Sequence, residues 1–300
     1  MFKRFQNARI ASNVVSDVDS LTGFTDLRDN DQRSLQSLIT AENELRKKVL
    51  PASLKKRKTR ISPEAPLHVR KAKLKPSNSE ALTVLFTNAD QLTTAKMTEL
   101  RLRIQKEKPM IVAVCEVKPK NSQERHNYDI PGFSLHPVNI DKPTGRGIAV
   151  YTHSSLDQSV VQIKSDLGFQ EACLLEIKLR GGDHMLFGCI YRSPTSNSTS
   201  EENNNNLNRL LLSIANTNYS HRCIVGDFNL KDINWSLWST PHNDESKEQK
   251  FIETIRDCFL HQHNLENSRR RGNDQPSLID LIFTDELMQV SDVQHQSPLG

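Results

Sequence analysis

Apolar residues along this chain fall into two rhythms, and a third stretch has none. From Leu82 onward, short apolar runs with many β-branched residues recur at 82–87, 110–115, 147–152, 173–179, 185–191, 222–226 and 278–284. Each has the length and composition of a strand. Between them, apolar residues return every three or four positions at 95–106 (Met97, Leu100, Ile104), 207–215 (Leu207, Leu210, Leu211, Ile214) and 246–261 (Phe251, Ile252, Ile255, Phe259). That spacing puts them on one face of a helix. Strands alternating with amphipathic helices predict a layered α/β domain over 81–300. The polar tract Ser196–Asn206 reads as a solvent loop. Upstream, Leu35, Leu38, Ile39 and Leu45 follow an acidic entry at helical spacing, so 1–45 is expected to be a small helical segment. Residues 46–80 carry four prolines, clustered Lys/Arg and few large apolar groups, the composition of a disordered linker.

Composition narrows the class. Hydrophobic residues make up 36% and charged residues 25% of the 300 residues, which suits a globular core. No apolar run approaches the ~18–20 residues needed to span a bilayer. The opening MFKRFQNARI lacks an apolar signal stretch, so an intracellular protein without a membrane partner is expected. Five cysteines stand singly among apolar neighbours, without CxxC or Cys/His spacing, and read as buried reduced thiols. The net charge of +4 hides an asymmetry: residues 1–80 hold 17 Lys/Arg against 9 Asp/Glu, and 81–300 hold 23 against 27. A basic N-terminal quarter, with Lys55-Lys56-Arg57-Lys58 inside it, suits a nucleic acid partner or nuclear import.

Chemistry collects where the strands stop. The run 82–86 leads into Thr87-Asn88-Ala89-Asp90, 111–115 into Glu116, 186–190 into Tyr191, and 223–225 into Gly226-Asp227-Phe228-Asn229; Asp280 sits inside the run 278–283. In open α/β sheets the ligand crevice lies beyond the carboxyl ends of the strands, so these groups can converge. Carboxylate and amide oxygens suit a hard cation such as Mg²⁺. Singly, each is as well explained by a turn or a solvated loop. Asp280 is the exception, because an Asp in a buried apolar strand needs a partner or a task.

Taken in order, TNADQL (87–92), IVAVCEVKPKN (111–121), GRGIAVY (145–151), GCIYRSP (188–194), IVGDFNLKDINW (224–235) and SLIDLIFT (277–284) resemble the apurinic-type endonucleases of non-LTR (LINE-like) retrotransposons, in the endonuclease/exonuclease/phosphatase superfamily. The resemblance implies a four-layered α/β (α+β) sandwich of two mixed sheets flanked by helices. It implies a DNA endonuclease dependent on Mg²⁺ or Mn²⁺, acting in the nucleus beside a reverse transcriptase and nicking target DNA to prime reverse transcription. Glu116 matches the metal-binding glutamate, with Asn88 and Asp90 at the same metal and phosphate site. Asp227 matches the aspartate that orients or deprotonates the attacking water, Asn229 the asparagine that holds the phosphate, and Tyr191 the tyrosine on the scissile phosphate. Asp280 matches the aspartate that orients a catalytic histidine. In the family a Ser-Asp-His motif follows a stretch like Ser297-Pro298-Leu299-Gly300. The C-terminal strand carrying it is therefore expected to be missing here, leaving a bare sheet edge and impaired catalysis, with a DNA-binding fragment as the alternative function. Phosphoinositide or sphingomyelin phosphodiesterase activity fits the YRSP and GDFN…W forms less well. The first 35 residues also resemble the C-terminal part of a poly(ADP-ribose) polymerase-type zinc finger, but no Cys or His precedes His68, so no zinc ligand is present.

Overall fold

The computed structural model describes residues 2–3, 5–10, 81–120, 122, 127–194, 199–270 and 275–300, the first two stretches as backbone only. The basic linker, the helical pattern at 29–45 and the Lys/Arg cluster at 55–58 lie outside the described residues. The strands are β1 (Phe2–Lys3), β2 (Phe5–Ile10), β3 (Leu82–Asn88), β4 (Ile111–Cys115), β5 (Phe133–Val138), β6 (Ile148–His153) and β7 (Gln158–Val160), then β8 (Ala172–Lys178), β9 (His184–Tyr191), β10 (His221–Asp227), β11 (His261–Gln262), β12 (Arg269–Arg270), β13 (Asp280–Thr284) and β14 (Val290–Gln296). Among the described residues three α-helices join them: α1 (Thr94–Glu107), α2 (Thr199–Ala215) and α3 (Lys247–Asp257).

Two six-stranded sheets run in the orders β14-β2-β3-β4-β6-β5 and β11-β13-β10-β9-β8-β7. Each is mixed, with one parallel pair at its heart, β3/β4 in the first and β9/β10 in the second. Strand periodicity sorts the layers. Val84 and Phe86 of β3, with Ala113 and Cys115 of β4, face Leu175, Phe187, Cys189 and Val225 of the second sheet. The intervening Leu85, Val112 and Val114 turn outward onto Met97, Leu100 and Ile104 of α1. On the far side, Leu174, Leu186 and Ile190 meet Leu207, Leu210 and Leu211 of α2 and Phe251, Ile252 and Ile255 of α3. The order helix, sheet, sheet, helices is the expected four-layered α/β sandwich.

Helix ends follow local chemistry. The Thr93 hydroxyl caps α1 by accepting from Lys96 N, and Ser246 Oγ caps α3 by accepting from Gln249 N at 3.2 Å. Ser246 and Gln249 stand three apart, the spacing of a capping box.

Three expectations need correction. Residues 199–206 of the supposed loop Ser196–Asn206 are helical, the first turns of α2, because Asn204 and Asn206 are buried and bonded rather than solvated. Asn204 Oδ1 accepts from Arg192 Nε at 2.6 Å, and Asn206 Oδ1 accepts from Arg209. The described part of the segment 1–45 forms strands, not helix. Pairing with β3 on one side and β14 on the other satisfies both rows of backbone groups of residues 5–10, which outweighs a weak local preference. For the same reason β3 does not form the bare edge that a lost strand would leave, since β2 covers it. All five cysteines are buried and free, as their apolar settings imply.

Candidate active site at the strand ends

The two parallel pairs end at the same place. Where β3 stops, the chain turns through Asp90 (φ 41°) and Gln91 (φ 70°), a left-handed path that short polar side chains tolerate best. Asn88 makes the turn by accepting from Asp90 N on Oδ1 at 3.0 Å. That bond orients the amide, so its NH₂ group must point the other way. There it donates to Glu116 Oε1 at 2.8 Å and to Asp227 Oδ2 at 2.6 Å. One nitrogen thus holds the carboxylate at the end of β4 against the carboxylate at the end of β10, across the two sheets. All three residues are buried.

Asp90 joins through Arg146. The guanidinium bridges Asp90 Oδ1 at 2.6 Å and Glu116 Oε2 at 3.1 Å. Arg146 stands between Gly145 (φ 75°) and Gly147 (φ 70°), and a Cβ on Gly147 would press within 3.1 Å of Ile140. Only glycine fits that backbone. The fully buried Lys118 fastens the loop, its ammonium donating to Ser122 O at 2.7 Å and Lys142 O at 2.5 Å.

In the second sheet Asp227 is the register partner of Tyr191 on one side and of Asp280 on the other, so all three share a level at the end of the sheet. Gly226 is required by closeness, since a Cβ there would meet Ile190 O at 2.1 Å. Asp227 Oδ1 accepts from Asn229 N at 3.1 Å, and Asn229 takes φ 50°. The Asn229 amide donates to Arg192 O at 2.9 Å while its oxygen accepts from Arg269 at 3.4 Å. Burial, with the charges of Glu116, Asp227 and Glu171 nearby, pushes the Tyr191 phenol far above its ordinary range. It is therefore a neutral donor. Burial likewise raises Glu171, although it accepts from Ser193 N at 3.1 Å and Ser193 Oγ at 2.6 Å. The Cys115 thiol behind the site is raised by burial and by Cys189 at 3.7 Å, so it is not a nucleophile.

Every residue expected at the site is therefore at the strand ends of one molecule face. Asn88, Glu116 and Asp227 touch directly, Asp90 is joined through Arg146, Tyr191 and Asp280 flank Asp227, and Asn229 closes the turn after it. The sequence reading passed over three cations of the frame: Arg146, Lys118 and the buried Arg192. Arg146 had a visible sign in its two flanking glycines. Arg192 and Lys118 had none, because their partners are mostly backbone carbonyls.

The fold is a two-sheet α/β sandwich with a carboxylate-rich centre at its strand ends. Residues 185–299 match the sequence profile of the family described as endonuclease-reverse transcriptase. Solved structures that align with the chain include the endonuclease domain of TRAS1, a telomere-specific non-LTR retrotransposon, at 16% identity and TM-score 0.49, covering 72% of this chain and 97% of that one. An AP endonuclease from Archaeoglobus fulgidus aligns at 13% identity and TM-score 0.42, covering 67% and 84%. No curated protein matches in sequence. Among the described residues no helix is long and apolar enough to cross a membrane.

Proposed function

We propose that this chain is a divalent-cation-dependent DNA endonuclease of a non-LTR retrotransposon, nicking target DNA to leave a 3′-hydroxyl that primes reverse transcription. The observation that carries the reading is the single Asn88 amide bonded to both Glu116 and Asp227. It makes one centre of two carboxylates from different sheets.

The donor set fits a hard cation. Glu116, Asp90 and the Asn88 side chain are oxygen-bearing groups gathered at one point, and Arg146 already balances two of them with positive charge. Glu116 and Asp90 would hold Mg²⁺ or Mn²⁺, with Asn88 beside them. A bound ion would neutralise charge building on the phosphoryl oxygens. The protein's own groups do the rest. Asp227 accepts a proton from the attacking water as its oxygen bonds to phosphorus. The neutral Tyr191 phenol donates to a phosphate oxygen, and Asn229 lies at the same edge to hold the phosphate. Asp280, level with Asp227, is placed to orient a neighbouring proton carrier. The phosphorus–3′-oxygen bond breaks, and that oxygen takes a proton from solvent water to leave as the 3′-hydroxyl.

A supercoiled plasmid tests the reading. The chain should open the circle with Mg²⁺ or Mn²⁺ and not with chelator. Asp227→Asn should slow opening by ~10²–10⁴-fold, the range for loss of a general base. A chain that binds plasmid and cation yet never nicks would leave a DNA-binding protein and defeat the nuclease assignment. Nuclear location and a reverse transcriptase in the same polyprotein follow from this reading.

A further inference from the structure

Outside the strand-end centre, the described residues contain one grouping of side chains able to hold a metal ion: Asp232, His242 and Glu248, whose ligand atoms all lie within 4.8 Å of one another. They come from three places. Asp232 follows β10, Glu248 lies in the first turn of α3, and His242 leaves the intervening segment. That segment folds back on itself through the Asn234–Ser239 bridge, with Asn234 N donating to Ser239 O at 2.8 Å and Ser239 N to Asn234 O at 3.2 Å. The fold-back returns His242 to Asp232, with Nε2 at 3.1 Å from Oδ2.

Glu248 is the independent sign that this is more than surface polarity. Its side chain is only 6% exposed and accepts no hydrogen bond from a described residue; the nearest cation is the half-exposed Lys247 ammonium at 3.7 Å. A buried carboxylate without donors is costly. The Arg192 guanidinium attracts it electrostatically, but the hydrogen bonds of that group go to Asn204, Phe228 O and Asn229 O. Glu248 instead borders an open polar cleft of about 630 Å³ shared with Asp232, His242 and Asn204.

We propose that Asp232, His242 and Glu248 form a second cation site, for a borderline first-row ion of the Zn²⁺ type. One imidazole nitrogen with two carboxylate oxygens matches that class, whereas the strand-end centre offers no imidazole and suits a harder ion. Water fills the remaining coordination. The bound ion clasps the segment after Asp227 and Asn229 to α3, and Glu248 electrostatically attracts Arg192, which holds that same turn. The site does not depend on the nuclease reading.

Chelator-stripped full-length chain, titrated with Zn²⁺ by calorimetry and with Co²⁺ by visible absorption, tests the site. The expected result is one tight equivalent with the absorption of a nitrogen- and oxygen-ligated Co²⁺ ion. Affinity should fall at least about tenfold in His242→Ala and in Asp232→Asn, both surface changes that spare the core. Glu116→Gln should leave it unchanged. No binding at ~100 µM Zn²⁺, weaker than the micromolar range of a ~8 kcal/mol site, would overturn the proposal. So would binding that survives His242→Ala, or that disappears in Glu116→Gln and so belongs to the strand ends.

Discussion

The two parallel strand pairs, β3/β4 and β9/β10, are built alike and finished differently. Each is flanked by antiparallel neighbours, faces its counterpart through alternate apolar residues, and ends in polar groups at the same edge. The β3/β4 end is partly open and charge-balanced: Asp90 is 40% exposed, and Arg146 links it to the buried Glu116. The β9/β10 end is closed, with Asp227 and Asp280 wholly buried and Tyr191 nearly so. Two carboxylates held around a positive charge, one of them exposed, can exchange that charge for another cation. A closed carboxylate beside a neutral phenol is suited to moving a proton. Asn88, which belongs to the first pair and touches the second, ties the two tasks together.

The largest effect should come from charging that tie. Asn88→Asp would place a third carboxylate between Glu116 and Asp227 and remove the donor both accept from. Nicking should fall by roughly 10²-fold or more, as for loss of a positioned donor at a reacting centre. A variant that nicks as the parent does would show the two ends to be independent.

Arg146→Met separates the ends in the other direction. Losing the charged hydrogen bond to Asp90 and the ion pair with Glu116 should cost about 1–3 kcal/mol of stability in chelator. Millimolar Mg²⁺ or Mn²⁺ should restore much of it, which denaturant melts with and without cation would reveal. Equal losses under both conditions would mean that Arg146 is not exchangeable.

A smaller contrast concerns acid. Each sheet carries a histidine bonded to a threonine, His136 to Thr152 at 2.9 Å and His263 to Thr284 at 2.5 Å. Burial lowers both imidazoles, and His263, also repelled by His261, is lowered from 6.5 to about 4. The folded state therefore prefers neutral His263. Its stability contribution is complete above pH 6.5 and is lost as pH falls from 6.5 toward 4. His263→Gln should flatten the decline of Tm across that window more than His136→Gln does. The reverse ranking would reassign the acid sensitivity to the first sheet.

The central strands were legible because buried strands are written as continuous apolar runs. Their polar ends were legible because a carboxylate or amide closing such a run is conspicuous. What escaped depends on partners far away in sequence. β5 carries Pro137, which the sheet tolerates only because β5 is an edge strand, and its mixed residues show no apolar run. The first turns of α2 are polar because Asn204 and Asn206 bond to Arg192 and Arg209 rather than pack. β2 has no local signal, since its partner β3 lies far along the chain, beginning at Leu82. At the site, Lys118 reads as one more surface lysine until the loop carbonyls close around it.

The claim that both strand ends work as one centre is tested most directly by single-turnover nicking of supercoiled plasmid by Glu116→Gln, Asp227→Asn and the double variant. Residues acting as a unit give non-additive losses. The double variant should be no slower than the slower single one, within about threefold, or ~0.6 kcal/mol at 1.4 kcal/mol per tenfold. A double variant whose slowing is the full product of the two single effects would contradict the account.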